Sequence, residues 1–327
     1  MKRIVLLALL VSVSTVSCRA ESRTVPAPTS TPTLTLAQMI PTPRYRTTVP
    51  EPASTNTSLP PVEPLLSPTP PQGIETLSVT STLDTSTPAS NDWMELPVIP
   101  SINPDIGEIY QRGLQLGNDP HAFSIFGDCQ TQPGEFLGVY ETDQLVYDAL
   151  SPELQETVSN FEGSFTREGS TSQDGTTPGA LLWTQWHRGE YGCTALETPV
   201  DCELRVHRPS FVIIQIGTHF ESRNIDYLRT IIDQLLLDGV VPILATKADN
   251  SELDNRINRE MAMLAAEYDL PLWNFWASLS GLVGRGLYVK EGREDQGAVY
   301  LNEEASELHR MTGLLMLDAV WRAATGQ

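Results

Sequence analysis

Cysteine and histidine are scarce in this chain of 327 residues, with four of the first and five of the second. That scarcity leaves little for a metal centre. The close pair Cys193 and Cys202, in GCTALETPVDC, has no histidine between them at zinc-like spacing. No cofactor is expected either. Basic residues are also few, 21 against 41 acidic, for a formal net charge of −20. The imbalance is segregated: residues 92–327 carry 15 basic and 36 acidic side chains, a formal net of −21. Such a field disfavours nucleic acid and anionic membrane surfaces as partners of that part. Beyond the first 18 residues no apolar run is long enough for a membrane span.

Residues 1–18 read as an export signal, with Lys2 and Arg3 ahead of the apolar run IVLLALLVSV. The run ends in TVSC, which resembles the lipobox of bacterial lipoproteins and makes Cys18 the expected lipidation site. A plain secretory peptide cut nearby is the alternative. Either way the chain is expected outside the cytoplasm, as a membrane-anchored lipoprotein or a secreted protein. Residues 19–91 are crowded with Pro, Thr and Ser and show no apolar period. Such a segment cannot offset the entropy of ordering, so a disordered stalk is expected. Its prolines favour extended conformations.

Residues 92–327 are enough for one substantial core. Four strands are expected: AFSIFG (122–127), FVIIQIG (211–217), VVPILAT (240–246) and LPLWNFW (270–276). Three of them are near-continuous apolar runs, the pattern of parallel strands covered on both faces. A helix is predicted over 225–239, with Tyr227, Leu228, Ile231, Ile232, Leu235 and Leu236 on one face and Gly239 as its stop. Others are predicted over about 252–268, with Ile257, Met261, Leu264 and Ala265 inward, and over about 302–324. FEGSFTREG (161–169) is a candidate for a further short strand. The strand–helix alternation predicts an α/β fold, a three-layer α/β/α sandwich with a mostly parallel sheet. Such folds bind ligands at the carboxyl ends of their strands. In an exported chain the spacing of Cys193 and Cys202 reads as a local disulfide. That pairing leaves Cys129 outside any disulfide.

The run FSIFGDCQT (123–131) resembles the first signature block of the SGNH (GDSL-type) hydrolases, Gly-Asp-Ser-x-Ser/Thr. Cys129 stands where those enzymes have their serine nucleophile, preceded by Gly127 and Asp128. VIIQIGTHFE resembles the third block, with Gly217 kept, His219 at the asparagine position and Phe220 at the following aspartate. Gly175 in SQDGTTPG is the best candidate for the second-block glycine, with Gly179 as rival. GAVYLNEEASELHRMTG resembles the fifth block, Asp-x-x-His-Leu-x. In that register Tyr300 falls at the base histidine and Gly297 at its aspartate, with Asp295 two residues off. The resemblance spans about residues 120–325 and implies a flavodoxin-like, SGNH-type fold. It also implies an esterase or acyl hydrolase acting on extracellular or cell-surface esters, for which acylated carbohydrate is a candidate.

In that reading Cys129 attacks the carbonyl, and the amides of Cys129 and Gly175 stabilise the oxyanion. Tyrosine, with a pKa near 10, is a poor base at neutral pH. His219 is the expected substitute, able to take the thiol proton or donate to an oxyanion. His309 is the weaker candidate, and His121, His187 and His207 read as structural. Lys247, Asp249 and Asn250, in ATKADN, border the expected cleft and with Asp128 are candidates for substrate contact. A plainer reading of that run is a loop salt bridge with an asparagine cap for the next helix. Trp183, Trp186, Trp273 and Trp276 could offer sugar-stacking surface, though Trp273 and Trp276 have core spacing. Expected partners are a small-molecule or polysaccharide ester and, through the N-terminal lipid, a membrane. A monomer is expected. Loss of the base leaves a second reading open: an inactive relative that binds a glycan or acylated ligand.

Overall fold

The computed structural model describes residues 92–218 and 224–327. The expected leader (1–18), stalk (19–91), Cys18 and His219 lie outside the described residues. The centre is a four-stranded, all-parallel sheet: β1 (Asp119–Gly127), β2 (Pro209–Gln215), β3 (Val241–Ala245) and β4 (Leu272–Trp273), in that spatial order. Alternate side chains of β2 go to opposite faces, as a pleated strand requires. Phe211 and Ile213 join one apolar cluster with the helices Ile106–Leu116, Pro152–Asn160 and Glu303–Thr325. Val212 and Ile214 join another with the helices Pro199–His207, Ile225–Leu237 and Arg256–Glu267. Burial on both faces explains why these strands are continuously apolar rather than alternating.

A further chain segment flanks β1 on its other side. It is reduced to one parallel bridge, Gly127 to Ser172. The Gly127 amide donates to the Thr171 carbonyl (2.9 Å) and the Thr171 hydroxyl to the Ile125 carbonyl (2.9 Å). The strand expected over 161–169 does not form. Phe161 and Phe165 are instead buried against Phe123, and pairing begins only at residue 171. The next two chain segments after β1 thus lie on opposite sides of it. Such a reversal opens a crevice at the carboxyl end of β1.

Other expectations shifted as well. β4 stops at Trp273 because Asn274 is drawn into a buried polar turn, donating to the carbonyls of Trp93 and Leu96 (both 2.9 Å) and accepting from the Thr246 hydroxyl. The helix expected from residue 252 begins at Arg256, because Glu252 turns inward to an ion pair. Tyr227 faces outward rather than into the core. The hairpin β5 (Leu287–Val289) and β6 (Ala298–Leu301) is a separate antiparallel pair with Tyr288 opposite Tyr300. The expected disulfide Cys193–Cys202 is present, and it ties the loop before Thr198 to the helix that follows. Disulfides persist in oxidising compartments, which fits a location outside the cytoplasm. Among the described residues no helix is long and apolar enough to cross a membrane.

Candidate functional site

β1 ends at Gly127 in a gap only glycine can fill. A Cβ there would stand 2.1 Å from the Thr131 hydroxyl and 2.6 Å from the Gln215 carbonyl. The chain then turns through Asp128 into the short 3₁₀ segment Cys129–Thr131. Asp128 is buried, and its Oδ2 accepts from the amides of Gly217 (3.0 Å) and Thr218 (2.7 Å). That carboxylate therefore fastens the end of β1 to the end of β2. Thr131 bonds back to the Asp128 carbonyl (2.9 Å) and meets the Ser172 hydroxyl (3.1 Å), completing a three-segment junction under Cys129.

Cys129 is half-buried and not disulfide-bonded. It opens on a cavity of about 300 Å³ whose walls include Asp174, Tyr288, Lys290, Arg293 and Tyr300, with Gln130, Gln132 and Glu135 beside them. Burial pushes the thiol pKa well up, and Asp128 and then Asp174 push it further; Arg293 offsets part of this, and Asp249 adds to the rise. The thiolate is the nucleophilic form, and this setting favours the protonated one. The helix-terminus stabilisation that a following α-helix would give is small here, because Cys129 opens a 3₁₀ segment of only three residues.

Tyr300 lies in the same cavity. Its hydroxyl hydrogen bonds to Gln296 Oε1, and the Lys290 ammonium sits 5.1 Å from its ring centroid. Burial raises its pKa; Arg293 acts the other way, and the Cys129 and Asp174 charges add to the rise. Its proton is held more firmly than in water. Gly175 lies next to Asp174 in a turn with φ of 82°. Gly179 packs toward Tyr227 instead.

Of the histidines, His309 is wholly buried. It stacks on Phe136 (4.2 Å), lies tilted against Phe275 (4.5 Å), bonds Gln215 Oε1 at 2.6 Å, and is held neutral with a pKa pushed down to about 3, first by burial and then by Arg310. His187 is buried between the Glu197 carbonyl and the Gly189 amide. His121 meets the Asn160 carbonyl, and His207 lies 3.9 Å from Glu203. Among the described residues no histidine lines the Cys129 cavity. His219 follows Thr218 directly in the chain but is not among them.

Lys247 is enclosed. Its ammonium bonds Asp249 Oδ1 (2.7 Å) and Glu252 Oε2 (2.6 Å), with the side chain fully buried, so it braces the loop instead of reaching into the cleft. Asn250 accepts from the Asn255 amide (2.8 Å), closing the turn ahead of the helix. Asp249 and Asn250 line a second cleft, together with Ala298 and Val299 of β6. Trp273 is buried and donates to Thr312, while Trp276 is covered by Arg285, whose guanidinium carbon is 3.6 Å from the ring centroid. Trp183 is exposed.

Sequence reasoning missed Asp174, Lys290 and Arg293. Asp174 and Arg293 pair at 3.3 Å across the cavity mouth, 119 residues apart in the chain. Nothing local to either residue signals that pairing. Comparison with protein-family models, with curated proteins and with solved structures finds no match for this chain.

Proposed function

We propose that residues 92–327 form an SGNH-like domain, flavodoxin-like in topology, that binds an extracellular glycan or acylated ligand in the Cys129 cavity without turning it over. One observation carries this reading: the thiol at the nucleophile position is flanked by the carboxylates of Asp128 and Asp174, and the expected base position holds Tyr300. Neither group is poised to give up a proton. The cavity nevertheless keeps what a sugar needs, namely two tyrosine rings and several amide, carboxylate and guanidinium groups in a polar recess. The export signal, the stalk and the lipidation of Cys18 would hold that recess away from a membrane surface.

A second reading, acyl-ester hydrolysis, is favoured by one feature. Asp128 binds the amides of Gly217 and Thr218, and His219 is the next residue in the chain. In that reaction the Cys129 sulfur adds to the ester carbonyl as its proton passes to the His219 imidazole. The alcohol then leaves with that proton, and water cleaves the thioester. The full chain is tested with short acyl esters and, by calorimetry, with neutral and acetylated oligosaccharides. Binding without hydrolysis above the buffer rate, kept in Cys129→Ala and weakened at least tenfold in Tyr300→Ala, is expected. Hydrolysis abolished by Cys129→Ala and by His219→Ala would replace the binding reading with the hydrolytic one.

A further inference from the structure

The cleft beside β6 has a different character from the Cys129 cavity. Asp249, Glu252, Glu294 and Asp295 line it, and no cationic side chain among the described residues does. Behind it lies a buried cluster of one cation and two anions. Lys247 is bonded to both Asp249 and Glu252, whose side chains are 2% and 1% exposed. Among the described residues, that cluster holds two carboxylates and one ammonium. Asp249 Oδ1 is committed to Lys247 and to the Ser251 amide (2.9 Å), whereas Oδ2 is buried and has no hydrogen-bond partner among the described residues. A buried carboxylate oxygen left unbonded costs free energy that a donor would recover, and a charged donor recovers most. An ammonium is such a charged donor.

We infer that the cleft between the Asp249 loop and β6 binds a protonated primary amine, with Asp249 Oδ2 accepting from the ammonium and Glu294 and Asp295 at its rim. The amine follows from the cleft alone. That a sugar carries it, making the ligand a glycan with free amino sugars, rests on the glycan-binding reading. Both recesses draw on β6, the cleft through Ala298 and Val299 and the Cys129 cavity through Tyr300 and Leu301, so one oligosaccharide would meet both.

The test measures binding of the full chain to a glucosamine tetrasaccharide, to its N-acetylated counterpart, and to putrescine as an amine without a sugar. At low salt the glucosamine form is expected to bind at least tenfold tighter than the acetylated form, and Asp249→Asn to abolish that preference. Equal affinity for the two forms, or a preference that survives in Asp249→Asn, overturns the inference. Should Asp249→Asn fail to fold, the exposed double variant Glu294→Gln/Asp295→Asn decides. A preference reduced at least threefold supports the site, and an unchanged one overturns it. Putrescine binding that depends on Asp249 while neither sugar binds would keep the amine site and overturn the glycan reading.

Discussion

Asp128 stands immediately before the thiol, and its carboxylate has two effects. It raises the thiol pKa through charge, and it ties β1 to β2 through the amides of Gly217 and Thr218. Asp128→Ala leaves both buried amides unsatisfied, so it should cost about 2–4 kcal/mol in a urea melt, while Cys129→Ser should cost far less. His309 gives a pH signature. Its pKa is about 3 in the folded protein and about 6.5 in the unfolded chain, so the unfolded chain takes up the proton first. The stability due to this difference is complete above about pH 6.5 and declines as pH falls toward 3, by up to about 5 kcal/mol. Urea melts at pH 7 and pH 4 should show a smaller acid loss in His309→Gln than in the natural chain.

At the scale of elements, the helix Ile106–Leu116 approaches the turn before β3 backbone to backbone. A Cβ on Gly113 would stand 2.1 Å from the Gly239 carbonyl oxygen, and one on Gly239 would stand 2.4 Å from the Gly113 amide nitrogen. No side-chain rotation relieves a clash with backbone. Gly113→Ala should therefore destabilise by about 2–3 kcal/mol or more, even though alanine is the better helix former. A thermal melt checks it. Gly239 was legible as a helix stop, but nothing near it in sequence shows that Gly113, 126 residues away, must also be glycine. The strands were legible because burial on both faces makes them apolar throughout. The ends of strands and helices were less so, since Asn274 after β4 and Glu252 before the helix Arg256–Glu267 are turned by partners far off or across a loop.

For the whole molecule, the disulfide Cys193–Cys202 closes a short loop whose cross-link should stabilise by about 2–3 kcal/mol. The Cys193→Ser/Cys202→Ser double variant should melt lower by an amount consistent with that figure, and reductant should bring the natural chain toward it.

The sequence by itself determined the α/β class, the parallel strands, the disulfide and the placement of Cys129 at the end of β1. Each of these follows from local pattern: continuous apolar runs, cysteine spacing, and a glycine followed by an acid after a strand. Only the tertiary structure decided the surroundings of that thiol. Asp174 and Arg293, 119 residues apart, pair beside it, Lys247 is sealed between two carboxylates, and one oxygen of Asp249 has no partner among the described residues. Electrostatic environment depends on distances between segments that sequence spacing does not encode, and here it favours a protonated thiol where the local motif suggested a nucleophile.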